Sequence, residues 1–194
     1  MPDESLSPEV FSRLREILGT AYHVSRDAAI YAEVVTGGLN YRGMGELRDA
    51  LEHIQRVINA NDEEEALGDI TEAYEHLRRC GVESIQHAAS EIYLDTIKLV
   101  KTPPLTLRLL FLEVPDKGRV RKLRMNAMEK IAAGRSHKAD KDIWMDSIAE
   151  FKSAIESCFE LQDMYPHKAE VRLRQFNIAC GIITVLSLIF AFAK

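Results

Sequence analysis

From Phe176 to Ala193 the chain reads FNIACGIITVLSLIFAFA, eighteen residues without a charge. Coiled as an α-helix, such a run is about 27 Å long at ~1.5 Å per residue, close to the thickness of a bilayer's hydrocarbon core. A core helix of a water-soluble protein keeps one polar face, whereas here the apolar character runs all the way round. Lys168, Arg172 and Arg174 precede the run and only Lys194 follows it. That basic bias predicts a single-pass, tail-anchored layout with the bulk of the protein in the cytoplasm. Membrane lipid is therefore the first expected partner, through Phe176–Ala193. Within the run, Asn177, Cys180, Thr184, Ser187 and Ala191 recur at helical spacings of three and four. A stripe of small or weakly polar side chains lets helices approach closely in lipid, so a homo-oligomer is expected.

The remainder of the 194 residues suffices for one domain. With 46% hydrophobic and 28% charged residues the composition excludes a disordered chain, and 10 Gly and 6 Pro are too few for a sandwich of many short strands. Cys80, Cys158 and Cys180 are odd in number and unpaired in spacing, which supports neither a disulfide framework nor a zinc cluster. The opening MPDESLSPEV is acidic and lacks an apolar core, so no cleaved secretory signal is expected.

The fold class expected is all-α, an antiparallel helical bundle with a single C-terminal transmembrane helix. Ser7 followed by Pro8 is a helix start, and Val10, Leu14, Ile17, Leu18, Ala21 and Val24 then share a face until Gly37 and Gly38. Leu47, Leu51, Ile54 and Ile58 define the buried stripe of a second helix. The acidic run Asp62 to Glu65 opens a third helix, buried through Ala66, Ile70, Ala73, Leu77, Ile85, Ala88 and Ile92 and ended by Pro103 and Pro104. Residues 1–102 thus hold the first three helices, and 103–141 an apolar connector and a basic helix. Residues 142–166 hold the last bundle helix, and 167–194 the juxtamembrane segment and anchor. Leu105–Val114 reads as a short strand or a tucked loop. In the last bundle helix Trp144, Ile148, Phe151, Ile155, Cys158 and Gln162 alternate by four and three. Residues 116–141 carry nine Lys and Arg against three acids, nine minus three giving plus six. That charge suits an anionic leaflet, nucleic acid or plain water. No internal repeat is evident along the chain.

No glycine-rich phosphate loop and no H-E-x-x-H occurs, and no two of the six histidines lie three to five positions apart. No metal site, no cofactor-binding residue and no small-molecule cofactor is therefore expected. One pattern stands out. Arg48-Asp-Ala-Leu-Glu-His53 fits R-x4-H with a polar residue, Asp49, after the arginine. This resembles the motif of the HEPN-type helical ribonucleases. Tyr74-Glu-His-Leu-Arg-Arg79 extends the resemblance with an H-x-x-R helix, so that it covers about residues 40–95. The resemblance implies a bundle that dimerises around RNA and cleaves it without metal. His53 would then handle the 2′-hydroxyl or leaving-group proton and Arg48 would steady phosphate charge. Arg48, Asp49 and His53 carry the implied catalytic role, with His76 and Arg79 as further candidates. On a helix, residues five apart point about 140° away from each other, so Arg48 and His53 are expected to flank the polar face. Glu72 with His76, and Arg79 with Glu83, are expected as ion pairs along the third helix. Should the second and third helices be antiparallel neighbours, His53 and His76 would share one polar groove.

Two functions follow from these readings. The first is a membrane-anchored cytoplasmic interaction or scaffold module. The second is a HEPN-like, metal-independent ribonuclease, a toxin or defence effector acting on RNA at the inner membrane.

Overall fold

The Ser7 hydroxyl accepts the Val10 N–H at 3.3 Å, and Pro8 sits in the first turn, where its missing N–H leaves no bond unmade. The helix that follows is the first of a wholly helical chain. The computed structural model describes residues 7–101, 104–138 and 140–192, is 87% helical, and has no strand among the described residues. Helix α1 (Pro8–Glu16) passes through a π-helical turn, Ile17–Ala21, into α2 (Tyr22–Thr36), which Gly37 ends in the left-handed conformation, φ 68°. Then come α3 (Tyr41–Asn59), α4 (Glu63–Val100), α5 (Pro104–Leu109), α6 (Lys117–Lys138), α7 (Trp144–Asp163) and α8 (Lys168–Phe192).

Helix α4 is the axis of the bundle, with α2, α3, α6 and α7 packed around it. Its entry is fixed by Asp62, whose carboxylate accepts the Glu65 N–H at 2.9 Å while Glu65 reaches back to the Asn61 N–H at 3.0 Å. The expected stripe from Ala66 to Ile92 is buried throughout. On α7, Trp144, Ile148, Phe151, Ile155 and Cys158 are buried as their spacing predicts, and the half-buried Gln162 donates to Thr96 on α4 at 2.7 Å. Trp144 Nε1 donates to Tyr74 at 2.8 Å, satisfying the one polar atom of a buried indole. Each fully buried residue of this size contributes about 1.5–3 kcal/mol.

The contact face of α3 differs from the expected one. Gly43, Ala50 and Val57 are buried, Leu47 and Ile54 flank them, and Leu51 and Ile58 are 60% and 65% exposed. Small residues win the interface because they let α3 come close to α4. A Cβ on Gly43 would lie 2.7 Å from Ser84 Oγ and would strike the Asn40 amide that caps α3.

The apolar connector also differs from expectation. Leu105–Val114 is neither strand nor loop throughout: α5 is a short helix, followed by a turn in which Phe111 takes φ 54°. Leu107, Leu110 and Leu112 are buried against Tyr165 and against Val171 and Ile178 of α8. The connector is thus a collar at the base of α8. Residues 102 and 103, where the third helix was expected to end, lie outside the described residues; α4 runs to Val100. Ala193 and Lys194 lie outside them too. Helix α8 is long and apolar enough over Ala169–Phe192 to cross a membrane, and its most apolar window is 0% buried.

Candidate functional site

The short link from Asn59 to Glu63 forces α3 and α4 to run antiparallel side by side, so residues equally distant from the turn face each other. His53 meets Asp69 and Glu46 meets His76 in this way, and the two imidazoles come together between these pairs. Their rings stack with centroids 5.3 Å apart and planes inclined by 27°. Each imidazole then points one nitrogen at an acid of the opposite helix. His53 Nδ1 lies 2.7 Å from Asp69 Oδ1, and His76 Nδ1 lies 2.9 Å from Glu46 Oε2. All four side chains are half-buried, at 14–20% exposure.

Carboxylates only accept, so a neutral His53 ring carries its proton on Nδ1 and its lone pair on Nε2, whereas His76 Nδ1 lies between an acceptor, Glu46, and a donor, Arg79. Arg79 Nη2 lies 3.0 Å from His76 Nδ1, but its Nε donates to Glu46 at 3.0 Å, so Glu46 gathers both groups. Burial pushes the Glu46 carboxyl up, yet the hydrogen bonds from Arg79 and His76 outweigh it and hold the group below the ordinary carboxylate range. Asp49 is likewise held low, first by its hydrogen bond from Arg48 and further by the pull of Arg48, His76 and His53.

The arrangement has a source in the sequence that periodicity did not reveal. Residues 44–57 (MGELRDALEHIQRV) and 67–80 (LGDITEAYEHLRRC) align without a gap. Gly45 matches Gly68, Ala50 Ala73, Glu52 Glu75, His53 His76 and Arg56 Arg79. The expectation of no internal repeat is therefore corrected. Each copy carries acid-x-x-acid-x-x-x-His, as Glu46, Asp49, His53 and Asp69, Glu72, His76. Folding the two copies antiparallel produces a pseudo-twofold in which the first acid of each grips the histidine of the other. Glu46, Asp69 and Glu72 were thus missed as a set, and the repeated spacing is the signal that finds them.

The other candidates are placed as follows. Arg48 is 78% exposed and bound to Asp49 at 2.7 Å, and it makes no hydrogen bond or ring contact to either histidine among the described residues. The solvated Glu52 and Arg56 pair with each other at 3.3 Å. The expected Arg79 to Glu83 pair is replaced by the cross-helix bond to Glu46, while Glu83 takes Arg42 at 2.7 Å and Lys138 at 3.5 Å. Likewise His76 turns to Glu46 rather than to Glu72. Glu72 remains exposed, with one ligand-type atom within 4.8 Å of ones on His53 and His76. Chemically the groove offers two imidazoles, each with one ring nitrogen held against a carboxylate, which suits proton transfer or metal ligation. No known protein family matches the chain, and comparison with curated proteins and with solved structures gives no match.

Proposed function

We propose that this chain is a membrane-anchored helical module whose bundle rests on the cytoplasmic face of the bilayer and serves as an interaction or scaffold unit. The observation that carries the reading is α8, long and apolar enough over Ala169–Phe192 to cross a membrane, with its most apolar window unburied in the fold. The connector supports it. Leu105, Leu109 and Phe111 are 67%, 65% and 81% exposed, at the level where Leu107, Leu110 and Leu112 meet Ile178. Ile178 lies two residues, about 3 Å, inside the uncharged run, which supports an interfacial depth for these side chains.

The basic block divides at the same place. Its far half is used inside the fold: Lys130 pairs with Glu150 at 2.9 Å, Lys138 with Glu83 and Lys141 with Glu75 at 2.5 Å. Lys117, Arg119, Arg121, Lys122 and Arg124, next to the connector, have no ion pair among the described residues and face solvent or the half-apolar groove of Leu107, Val120 and Tyr165. Anionic headgroups fit them, each cation contributing about 1 kcal/mol near the surface. Self-association through the small-residue stripe of α8 belongs to the same reading. Thr184 gives its hydroxyl to the Cys180 carbonyl at 2.9 Å, so the stripe works by close packing.

Membrane fractionation tests the anchor. The full-length chain is expected in the pellet after carbonate washing and in solution only with detergent; release by carbonate alone rejects the reading. Protease reaching the bundle from outside the cell rejects its orientation.

A second reading, the HEPN-like ribonuclease acting on RNA, is favoured by the His53 to Asp69 contact, which orients an imidazole as an acid–base catalyst does. Its test is cleavage of RNA in EDTA by the full-length chain in detergent, beside His53→Ala. No cleavage, or equal cleavage by both, removes it.

A further inference from the structure

We propose that His53, His76 and Glu72 form a binding site for one divalent first-row transition-metal ion, with Asp69 and Glu46 as positioning residues behind the two imidazoles. The donor set is the first support. One ligand-type atom from each of the three side chains lies within 4.8 Å of the others, across two helices. A tetrahedral ion with bonds near 2.1 Å holds its ligands about 3.4 Å apart. Glu72 can turn to close on an ion, being an exposed side chain with no hydrogen bond or ion pair to break among the described residues.

The ring contacts are the second support. A ligating histidine characteristically donates its other ring nitrogen to a carboxylate, which orients the ring and raises its basicity. Both histidines set Nδ1 against a carboxylate here, at 2.7 Å to Asp69 and 2.9 Å to Glu46, and neither Nε2 has a hydrogen-bond partner among the described residues. The charge balance is the third. Glu46, Asp49, Asp69 and Glu72 face Arg48 and Arg79, four minus two, so the groove with neutral histidines holds two net negative charges. A divalent cation cancels them.

Two imidazoles and one carboxylate select zinc, cobalt, nickel or iron over magnesium and calcium, which take oxygen ligands. Three protein donors leave a fourth position for water. The pseudo-twofold puts one histidine from each copy of the repeat in the site, so both copies are needed for it.

The proposal depends on neither reading of the function, since metal binding is read without membranes or RNA. Full-length chain in detergent, stripped with chelator, is titrated with Co2+ and followed by its visible absorption. One ion per chain is expected, displaced by Zn2+ and not by millimolar Mg2+ or Ca2+. His53→Ala and His76→Ala should each weaken binding at least about 100-fold, and Asp69→Asn by about 10- to 100-fold. His87→Ala, at an 81% exposed imidazole outside the groove, should leave it unchanged. Glu72→Gln repeats the test at an exposed position, so its effect is read even where a histidine variant folds poorly; circular dichroism without metal tracks folding in every variant. No cobalt spectrum, equal competition by Mg2+, or undiminished binding in His53→Ala and Glu72→Gln would overturn the site.

Discussion

In the α3–α4 groove His53, His76, Glu46 and Asp69 are each half withdrawn from water and each has a partner on the opposite helix. At the connector end Leu105, Leu109 and Phe111 stand uncovered beside five cations without ion pairs among the described residues. The same bundle thus closes its polar demands at one place and leaves its apolar ones open at another. The difference is one of solvent. Half-buried charges in contact with water must find partners within the fold, because an unpaired one costs more than a hydrogen bond returns. Large exposed apolar side chains beside a spanning helix need no partner from the fold if lipid covers them. The contrast agrees with the two roles proposed above, ion binding at the groove and lipid contact at the connector.

The largest expected effect separates the two regions. Leu186→Arg places a charge near the middle of the uncharged run of α8, which costs about 2.5–3.5 kcal/mol on insertion scales. Carbonate-resistant membrane association of the full-length chain should fall more than tenfold, while Co2+ binding in detergent stays as in the parent protein. Retention of the variant in the washed pellet would break the assignment of α8. Gly43→Ala probes the other side of the comparison. Its new Cβ would crowd Ser84 and the Asn40 cap, and overpacking of this kind costs about 1–3 kcal/mol. Thermal unfolding should come earlier and metal binding should weaken, with membrane extraction unaltered; an unchanged melting temperature would show that α3 does not depend on close approach to α4.

These two variants also mark what the sequence made legible. The long apolar helix α8, the cap at Ser7, the acidic start of α4 and the α7 stripe were readable because each is a local pattern, whether an uncharged run, a capping residue, a charge cluster or a repeat at helical spacing. The face of α3 was not. Hydrophobic periodicity weighs Leu51 and Ile58 above Gly43 and Ala50, whereas close packing on α4 depends on the small residues. His53 and His76 were legible as candidates, but their acid partners were not, because Arg79 has a reachable acid on its own helix and only the fold shows that Glu46 is the one it takes. The repeat was hidden by substitutions such as Glu46 for Asp69 and Leu47 for Ile70, which keep chemistry and lose identity. The connector failed for the opposite reason: a run apolar in both directions has no period to read, and one side packs on protein while Leu105, Leu109 and Phe111 stay exposed on the other.

A smaller effect sharpens the assignment of the connector. Phe111→Cys in a Cys180→Ser background, labelled with an environment-sensitive dye and reconstituted in vesicles, should emit as a probe at the lipid interface and be quenched by headgroup-bound spin labels. Met44→Cys, at a 55% exposed apolar position on α3 beside the groove, should emit as in water. Equal emission from the two sites would mean that exposure of apolar side chains says nothing about lipid in this protein.

The smallest effect asks whether the two regions open independently. Burial pushes the Cys80 thiol up to about 11, and it raises the Cys158 thiol as well. At pH 8 both therefore stay protonated, and since the thiolate is the reacting form, modification waits for local opening. Cys80 sits one turn beyond His76 on α4, while Cys158 faces Thr96 towards the connector end. An ion bound by His53, His76 and Glu72 ties α3 to α4 and should slow Cys80 labelling severalfold in the Cys180→Ser protein, leaving Cys158 at its metal-free rate. Equal slowing of both would mean that the bundle opens as one unit, and the contrast between groove and connector would then be one of surface chemistry alone.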